Sequence, residues 1–209
     1  MIKATLIDSM GTDLSVVNAA RVSFGKKKES FDESDERLIN YLAKHKHMSP
    51  FGHCFASFHI IAPIFVARQL VKHKFLRWNE ISRRYVDSEP TFYTPETWRG
   101  KPENSKQGST GKATSQYFPS LYESDTNSQT LERYKKMIMQ GVCAEQARMI
   151  LPQNTITEWY WSGSLDAFSD MCNLRCKSDT QYETQLVANQ IDTIMQGLYE
   201  YSWKSLRNI

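Results

Sequence analysis

The chain has 209 residues, of which 40% are hydrophobic and 12% aromatic, and its 26 Lys and Arg residues against 23 Asp and Glu give a net charge of +3. That length suits one domain with a core large enough to fold without disulfides or metal ions. The small net charge argues against a binder of bulk polyanions, and no apolar run approaches the ~18 residues that a membrane span needs. The first residues, MIKATLIDSMG, lack the basic start and long apolar core of a signal peptide. The four cysteines form no CxxC pair of the kind that binds zinc. So few cysteines suit a reducing compartment in which disulfides are rare, so we expect a mixed α/β protein of the cytoplasm.

The first half of the chain shows the pattern of short strands between helices. Alternating apolar and polar residues predict each strand, and capping residues or prolines mark the ends of each helix. In chain order the predicted elements are a strand at 2–7, a short helix from Asp13, a helix from Asp35 to Lys46 capped by Ser34, a strand at 53–61, and a helix from Pro63 to about Phe75.

The second half is predicted to be mainly helical. The segment 76–95 is irregular, with a short strand near 84–86. Residues 103–130 contain 15 Ser, Thr, Asn or Gln among 28, which predicts a polar loop or insertion at about 100–130. Helices are predicted from Leu131 to Leu151, at about 155–174 and at about 179–206. The whole chain, 1–209, is therefore expected to be a single α+β domain with an antiparallel sheet and long helices.

The segment 67–85, ARQLVKHKFLRWNEISRRY, concentrates charged and polar side chains after an apolar stretch. On a helix, Gln69, Lys72 and His73 share one face because their spacing is i, i+3, i+4. Cations mixed with Gln, Asn, Ser and a single Glu suit a site that holds a phosphate and orients a polar ring. A solvated charged surface has the same composition, so both interpretations stay open at this point.

Two shorter clusters are weak signals when taken singly. Glu145 and Arg148 are i, i+3 neighbours, a spacing typical of an ordinary helix ion pair. Arg175 lies near a predicted helix end, where a cation complements the helix dipole.

Together these segments resemble one family, the flavin-dependent thymidylate synthases. The family signature is Arg-His-Arg, seven residues, Ser, and an Arg two residues later. Here Lys72-His73-Lys74 is followed by seven residues, Ser82, Arg83 and Arg84. Only the polar segment 100–130 has no clear counterpart in the family. Further blocks in family order are ARVSF at 20–24, KHKH with SPF at 44–51, APIFVARQ at 62–69, EQAR with LP at 145–152, and LR with Gln at 174–181.

The resemblance implies an enzyme that makes dTMP from dUMP, with methylenetetrahydrofolate as carbon donor, FAD as hydride carrier and NADPH as reductant. It also implies an α+β fold and a homotetramer with shared active sites, in which a neighbouring subunit supplies Arg148. The residues implied around dUMP are Gln69, Lys72, Glu80, Ser82, Arg83, Arg84, Arg148 and Arg175. The residues implied around FAD are Ser23, His47, Ser49, Lys72, His73, Lys74, Glu80, Ser164 and Asp170.

The resemblance also assigns roles to three of these side chains. Arg175 is the implied catalytic residue, which faces the uracil and stabilises charge as it builds on the ring. His73 lies between two lysines, so we expect it to resist protonation and to present a neutral imidazole. Ser82 is expected to hold dUMP, because an unassisted serine hydroxyl is a poor nucleophile.

The chain departs from the family pattern mainly on the flavin side. The arginines beside the central histidine are lysines here, which keep the charge but lose the bidentate fork. Ser164, Asp166 and Asp170 stand where Asn, Arg and Asn are expected. The FAD contacts are therefore expected to differ from the family pattern more than the dUMP contacts.

Two other functions stay open on sequence grounds. The same fold could hydroxymethylate dUMP or dCMP, although Arg175 favours a ring that becomes anionic. A nucleic-acid-binding module could use the six Lys and Arg at 68–84 with Trp78 and Tyr85 as stacking groups. The net charge of +3 and the central Glu80 disfavour that second function, and no specific nucleic-acid partner is expected.

No metal site and no membrane association are expected. Cys172 and Cys176 are i, i+4 on a predicted helix without a matching histidine pair, which is typical of small buried residues rather than of zinc ligands.

Overall fold

The structure is a computed structural model that describes residues 2–103 and 108–207. Its strands are β1 (Lys3–Met10), β2 (Phe55–Pro63), β3 (Leu76–Glu80), β4 (Arg99–Gly100), β5 (Thr110–Lys112) and β6 (Ile156–Ser164). Its helices are α1 (Asp13–Arg21), α2 (Glu33–Lys44), α3 (Ile64–Leu70), α4 (Tyr117–Met139), α5 (Ala144–Ala147), α6 (Leu165–Arg175), α7 (Tyr182–Leu198) and α8 (Glu200–Arg207). Short 3-10 turns lie at Val22–Phe24, Ser49–His53 and Arg148–Ile150.

Four strands form the main sheet in the order β1-β2-β6-β3, and every pair in it is antiparallel. Strands β4 and β5 form a separate hairpin. The predicted α+β class with an antiparallel sheet is confirmed. Among the described residues no helix is both long and apolar enough to cross a bilayer.

One face of the main sheet packs against helices α6 and α7, and α8 packs in turn against α2, α6 and α7. In β6 the side chains of Trp159 and Trp161 point into the core, while Tyr160 between them is exposed. Phe58 of β2 meets Phe168 of α6 edge to face at 5.2 Å between ring centroids. Burial of these large rings is the main favourable term that holds the helices on the sheet.

Residues 155–174, which the sequence predicts as one helix, differ most from that prediction. Residues 156–164 are instead β6, a central strand of the sheet, and only the part from Leu165 is helical. Thr157, Trp159 and Trp161 face inward and alternate with Glu158 and Tyr160, which is the period of two that marks a strand.

The predicted polar loop at about 100–130 is also partly wrong, because its second half is the start of the 23-residue helix α4. Residues 104–107 of the predicted loop lie outside the described residues. Side-chain pairs at i, i+4 support this exposed helix, such as Gln129 with Asp125 at 2.8 Å. The helix ends at Met139, where Gly141 adopts a φ of 81° and reverses the chain. The predicted continuous helix to Leu151 is therefore two helices.

Other predicted bounds differ as well. The helix after Pro63 ends at Leu70 instead of Phe75, and the strand expected near 84–86 is found at 76–80. Asp32, rather than Ser34, caps α2 by accepting from the Ser34 amide at 2.8 Å. The helix predicted at 179–206 is interrupted at Tyr199 and forms α7 and α8.

The sheet register brings two turns and the start of α6 to the carboxyl end of β6. Leu76 pairs with Gly163, which places the turn at 71–75 there, and Phe55 pairs with Ser164, which places the turn at 49–53 beside it. Helix α6 begins at the same point. The opposite end of β3, at Glu80, lies four residues away, roughly 13 Å along the strand.

Gly163 is required where the turn at 71–75 crosses β6. A Cβ atom at this position would collide with the Leu76 side chain and lie 3.1 Å from the Phe75 carbonyl oxygen. We expect Gly163→Ala to lower the free energy of unfolding by about 1–3 kcal/mol, the cost of overpacking a core. Gly197→Ala in α7, whose added Cβ would meet no atom within 4 Å, is the control and should be neutral or slightly stabilising. Equal urea-denaturation midpoints for wild type and Gly163→Ala would refute the packing argument.

Candidate active site

Three of the predicted site residues, Gln69, His73 and Arg175, meet beside the turn at 71–75. Arg175 is the last residue of α6, and its Nε donates a hydrogen bond of 2.9 Å to Nε2 of His73. Its NH2 group donates to the Gln69 carbonyl oxygen at 3.4 Å. The guanidinium is thus tied to the turn through two of its nitrogen atoms.

His73 is neutral because burial and, second, the positive charge of Arg175 lower its pKa to about 4. A neutral ring is also what the hydrogen bond demands, since Nε2 can accept only when it carries no proton. The sequence also predicts a neutral imidazole, but on the ground of the charges of Lys72 and Lys74. Both lysines are exposed, and the cation that acts on His73 is Arg175.

The side-chain amide of Gln69 is held by α7 and the residue before it. Its Oε1 accepts from the Thr184 hydroxyl at 3.1 Å, and its Nε2 donates to Oε1 of Gln181. These two bonds fix which end of the amide carries the oxygen.

Beyond Gln181 lies a buried ion pair that sequence reasoning missed. Glu183 is only 3% exposed and accepts two hydrogen bonds from NH2 of Arg99, at 2.7 and 2.8 Å. Gln181 donates to the same carboxylate at 3.3 Å, so the pair and the Gln69 amide belong to one network. A signal was present in the sequence, because Glu183 shares the i, i+4, i+8 positions of α7 with Val187 and Ile191, and an acid on an apolar face needs a partner.

This network lines a polar cavity of about 590 Å³. Gln69, Arg99, Arg175 and Lys177 contribute to its wall. The volume lies within the range typical of small-molecule sites. Among the described residues Arg175 forms no ion pair with a carboxylate, so its positive charge is available to a ligand.

A second group of predicted site residues lies at the other end of β3. Glu80, Arg83 and Arg148 line a cavity of about 120 Å³. Ser82 accepts from Nε of Arg84 at 3.3 Å. Within one chain the structure therefore does not bring the implied dUMP residues together. Gln69 and Arg175 lie near the carboxyl end of β6, whereas this second group lies at the opposite end of β3.

Contacts within this second group differ in part from the expected ones. The carboxylate of Glu80 accepts from the Thr157 hydroxyl at 2.7 Å and from Nε1 of Trp78 at 3.1 Å. Its position at the far end of β3 separates Glu80 from the other residues implied around FAD. Arg148 donates to the carbonyl oxygen of Glu145 at 3.2 Å and, among the described residues, forms no ion pair with its side chain.

Most residues implied around FAD lie near the carboxyl end of β6. Ser49 opens the 3-10 turn that packs against α1, and Ser164 immediately precedes α6. Ser23 lies in the exposed turn that follows α1. His47 is exposed, with its ring centroid 5.9 Å from that of Tyr41. Asp170 lies at the surface of α6. Partial burial of its carboxylate and, second, the charge of Asp166 raise its pKa.

Cys172 of α6 and Cys176, which directly follows that helix, have a neighbour that the sequence pattern does not indicate. Sγ atoms of Cys172 and Cys176 lie within 4.8 Å of each other and of a carboxylate oxygen of Asp192. That carboxylate already accepts from Nε of Arg207 at 2.7 Å and from Nε1 of Trp203 at 2.8 Å. A cation bound there would lie beside a guanidinium.

Comparison with known proteins relates this chain to one family. A family model described as "Thymidylate synthase complementing protein" matches residues 5–199. The flavin-dependent thymidylate synthase of Thermus thermophilus is 37% identical over 198 residues, which cover 95% of this chain and 73% of the relative. That of Kosmotoga olearia is 37% identical over 207 residues, which cover 97% and 89%.

Solved structures give the same relationship. The UMP/dUMP methylase PolB from Streptomyces cacaoi, bound with 5-Br dUMP, superposes with a TM-score of 0.89 at 30% identity, over 100% of this chain and 96% of that chain. The matches define the chain as an enzyme of this α+β fold. It belongs to the family of flavin-dependent thymidylate synthases, as the sequence motifs predicted.

The lowered pKa of His73 predicts a specific pH response. The folded pKa of about 4 lies below the ordinary value of 6.5, so the stability linked to this group is complete above pH 6.5 and is lost as the pH falls toward 4. NMR titration of the His73 ring should give a midpoint near 4 with no change between pH 6.5 and 8. Arg175→Gln should raise the midpoint, because it removes the nearby cation. A wild-type midpoint at or above 6.5 would contradict a neutral His73.

Proposed function

We propose that this enzyme methylates dUMP to dTMP, with methylenetetrahydrofolate as carbon donor, FAD as hydride carrier and NADPH as reductant. The observation that carries the proposal is the Arg175 guanidinium, held by His73 and the Gln69 backbone at the wall of a polar cavity of about 590 Å³.

The arrangement of Arg175 suits a pyrimidine that gains negative charge. Nε and one Nη are engaged by the protein, which leaves the other Nη to donate to a ring oxygen. Since the acceptor on Nε is a neutral imidazole and not a carboxylate, the guanidinium keeps its full charge for the ligand. A fixed cation beside the O2–N3 edge of uracil stabilises the ring as C5 becomes nucleophilic.

The group at the other end of β3 suits the phosphate of the nucleotide. Ser82, Arg84 and Arg148 supply a hydroxyl and two guanidinium forks, which bind phosphate through charge-assisted hydrogen bonds. Because these residues lie roughly 13 Å or more along β3 from the turn that holds His73, the two groups reach one nucleotide when two copies of the chain meet. This separation supports a site shared between copies of the chain, in which Arg148 comes from a neighbour, and the resemblance to the family favours a homotetramer as the assembly.

The segments at the carboxyl end of β6 fit FAD through their donors. Lys72 and Lys74 are exposed and, among the described residues, form no ion pair, and the hydroxyls of Ser49 and Ser164 lie in adjoining segments. These groups would hold the pyrophosphate, and FAD when bound supplies hydride transfer. The carboxylate of Asp170 suits a sugar hydroxyl better than a phosphate, since like charges repel.

The direct test is to incubate the purified protein with dUMP, methylenetetrahydrofolate, FAD and NADPH and to identify the nucleotide by mass. The proposal expects dTMP, formed only when FAD is present. A product one oxygen heavier would instead indicate hydroxymethylation, and modification of dCMP in parallel incubations would indicate a cytosine acceptor. No modified nucleotide from a protein that binds both dUMP and FAD would refute the proposal.

Arg175→Ala should lower kcat by about 10²–10³-fold while flavin content stays near normal, because one donor that acts on developing charge is lost. Cys176→Ala is the matched control, one residue along the chain. Its thiol faces Asp192 and Arg207 rather than the cavity, so turnover should be retained. Stopped assays at saturating dUMP measure both, and an inactive but folded Cys176→Ala protein would favour a thiolate mechanism.

A further inference from the structure

A second cavity, of about 580 Å³, adjoins the one at Arg175 and is not used by the reaction described above. Arg99 and Gln181 line both cavities. Most of the wall of this second cavity comes from α4 and the segment 93–98, and it includes four aromatic rings, those of Phe65, Tyr93, Trp98 and Tyr122.

Two of the rings are held in place by hydrogen bonds. The backbone of Trp98 exchanges two bonds of 2.8 Å with the Gln116 amide, and its Nε1 donates to Ser120 at 3.0 Å. The Tyr93 backbone exchanges bonds of 2.8 and 3.0 Å with Asn154. The aromatic part of this cavity, which we call the slot, is thus held in place by the protein, and aromatic side chains suit a flat ring.

One carboxylate in this cavity is oriented with a free oxygen. Oε1 of Glu123 accepts from Thr94 and from Asn154, each at 3.0 Å, and also from Asn127. Within the described ranges its Oε2 has no hydrogen-bond partner and no cation pairs with it. The nearby Arg99 is neutralised by Glu183. The slot therefore accepts a hydrogen bond from a donor N–H group and disfavours a phosphate.

We propose that this slot binds the neutral, amino-substituted heteroaromatic ring of a co-substrate. The ring lies between the aromatic walls, and its exocyclic amino group donates to Oε2 of Glu123. The rest of the molecule extends toward the adjoining cavity, whose wall shares Arg99 and Gln181 with the slot.

This inference rests on the proposed function, which supplies two co-substrates with such a ring. The pterin of methylenetetrahydrofolate and the adenine of NADPH both combine a flat neutral ring, an amino group and an anionic tail. The chemistry they share is what the slot recognises, and a binding experiment separates the two sources.

The test compares Glu123→Gln with wild type by calorimetric titration of tetrahydrofolate and, separately, of NADP⁺. Glutamine keeps the size and the accepting Oε1 but replaces the free oxygen with a donor. We expect roughly 10-fold or greater weakening for one of the two ligands, since a hydrogen bond to a charged group is lost, with dUMP binding unchanged. Asp125→Asn, on the same helix but outside the cavity wall, is the matched control and should bind both ligands like wild type.

Tyr122→Ala removes one aromatic ring from the wall of the slot. Because the Tyr122 side chain is 65% exposed, the variant should fold like wild type. It should weaken the same ligand that Glu123→Gln weakens, and that ligand identifies the source of the ring. Wild-type affinity of both variants for both ligands would overturn the inference. Failure of the proposed function is distinguishable, because it appears as the absence of dTMP with the wild-type protein.

Discussion

The hydrogen bond from Nε of Arg175 to Nε2 of His73 is the interaction on which the candidate site depends. It joins the end of α6 to the turn between α3 and β3, and it exists only while His73 is neutral. Burial and the neighbouring guanidinium both lower the pKa of His73, so the bond is maintained across the neutral pH range. The arginine is thereby fixed without a carboxylate partner, and its charge stays directed at the cavity.

The rest of the architecture serves this contact. Gly163 lets the turn approach β6, and Phe75 closes the turn with a φ of 64°, a conformation that non-glycine residues adopt rarely. On the other side, the Arg99–Glu183 pair supports Gln181, which in turn orients Gln69. Breaking a buried ion pair of this kind by removing one partner typically costs about 3–5 kcal/mol. The β4–β5 hairpin, which begins at Arg99, is therefore held against α7 at the site.

Local sequence patterns predicted the fold class and most elements of the first half of the chain, because strand alternation and helix caps are local signals. They failed at β6, where two tryptophans and a tyrosine obscured the period of two, and at α4, whose polar residues are those of an exposed helix. The family was predictable from the spacing around His73 and Ser82. Arg99, Glu183 and Glu123 were missed because their importance comes from burial and from partners up to 84 residues away in the chain, which no local window contains.

We propose that the uracil-facing and phosphate-facing groups act on one nucleotide from different copies of the chain. Mixing differently tagged Arg175→Ala and Arg148→Ala proteins, each nearly inactive alone, tests it most directly. Subunits are exchanged by mild denaturation and refolding, and doubly tagged assemblies are purified before assay. The account predicts dTMP formation well above the sum of the two parent variants, since some sites combine an intact Arg175 from one chain with an intact Arg148 from another. Doubly tagged assemblies that bind FAD but show no more activity than the parents would contradict it.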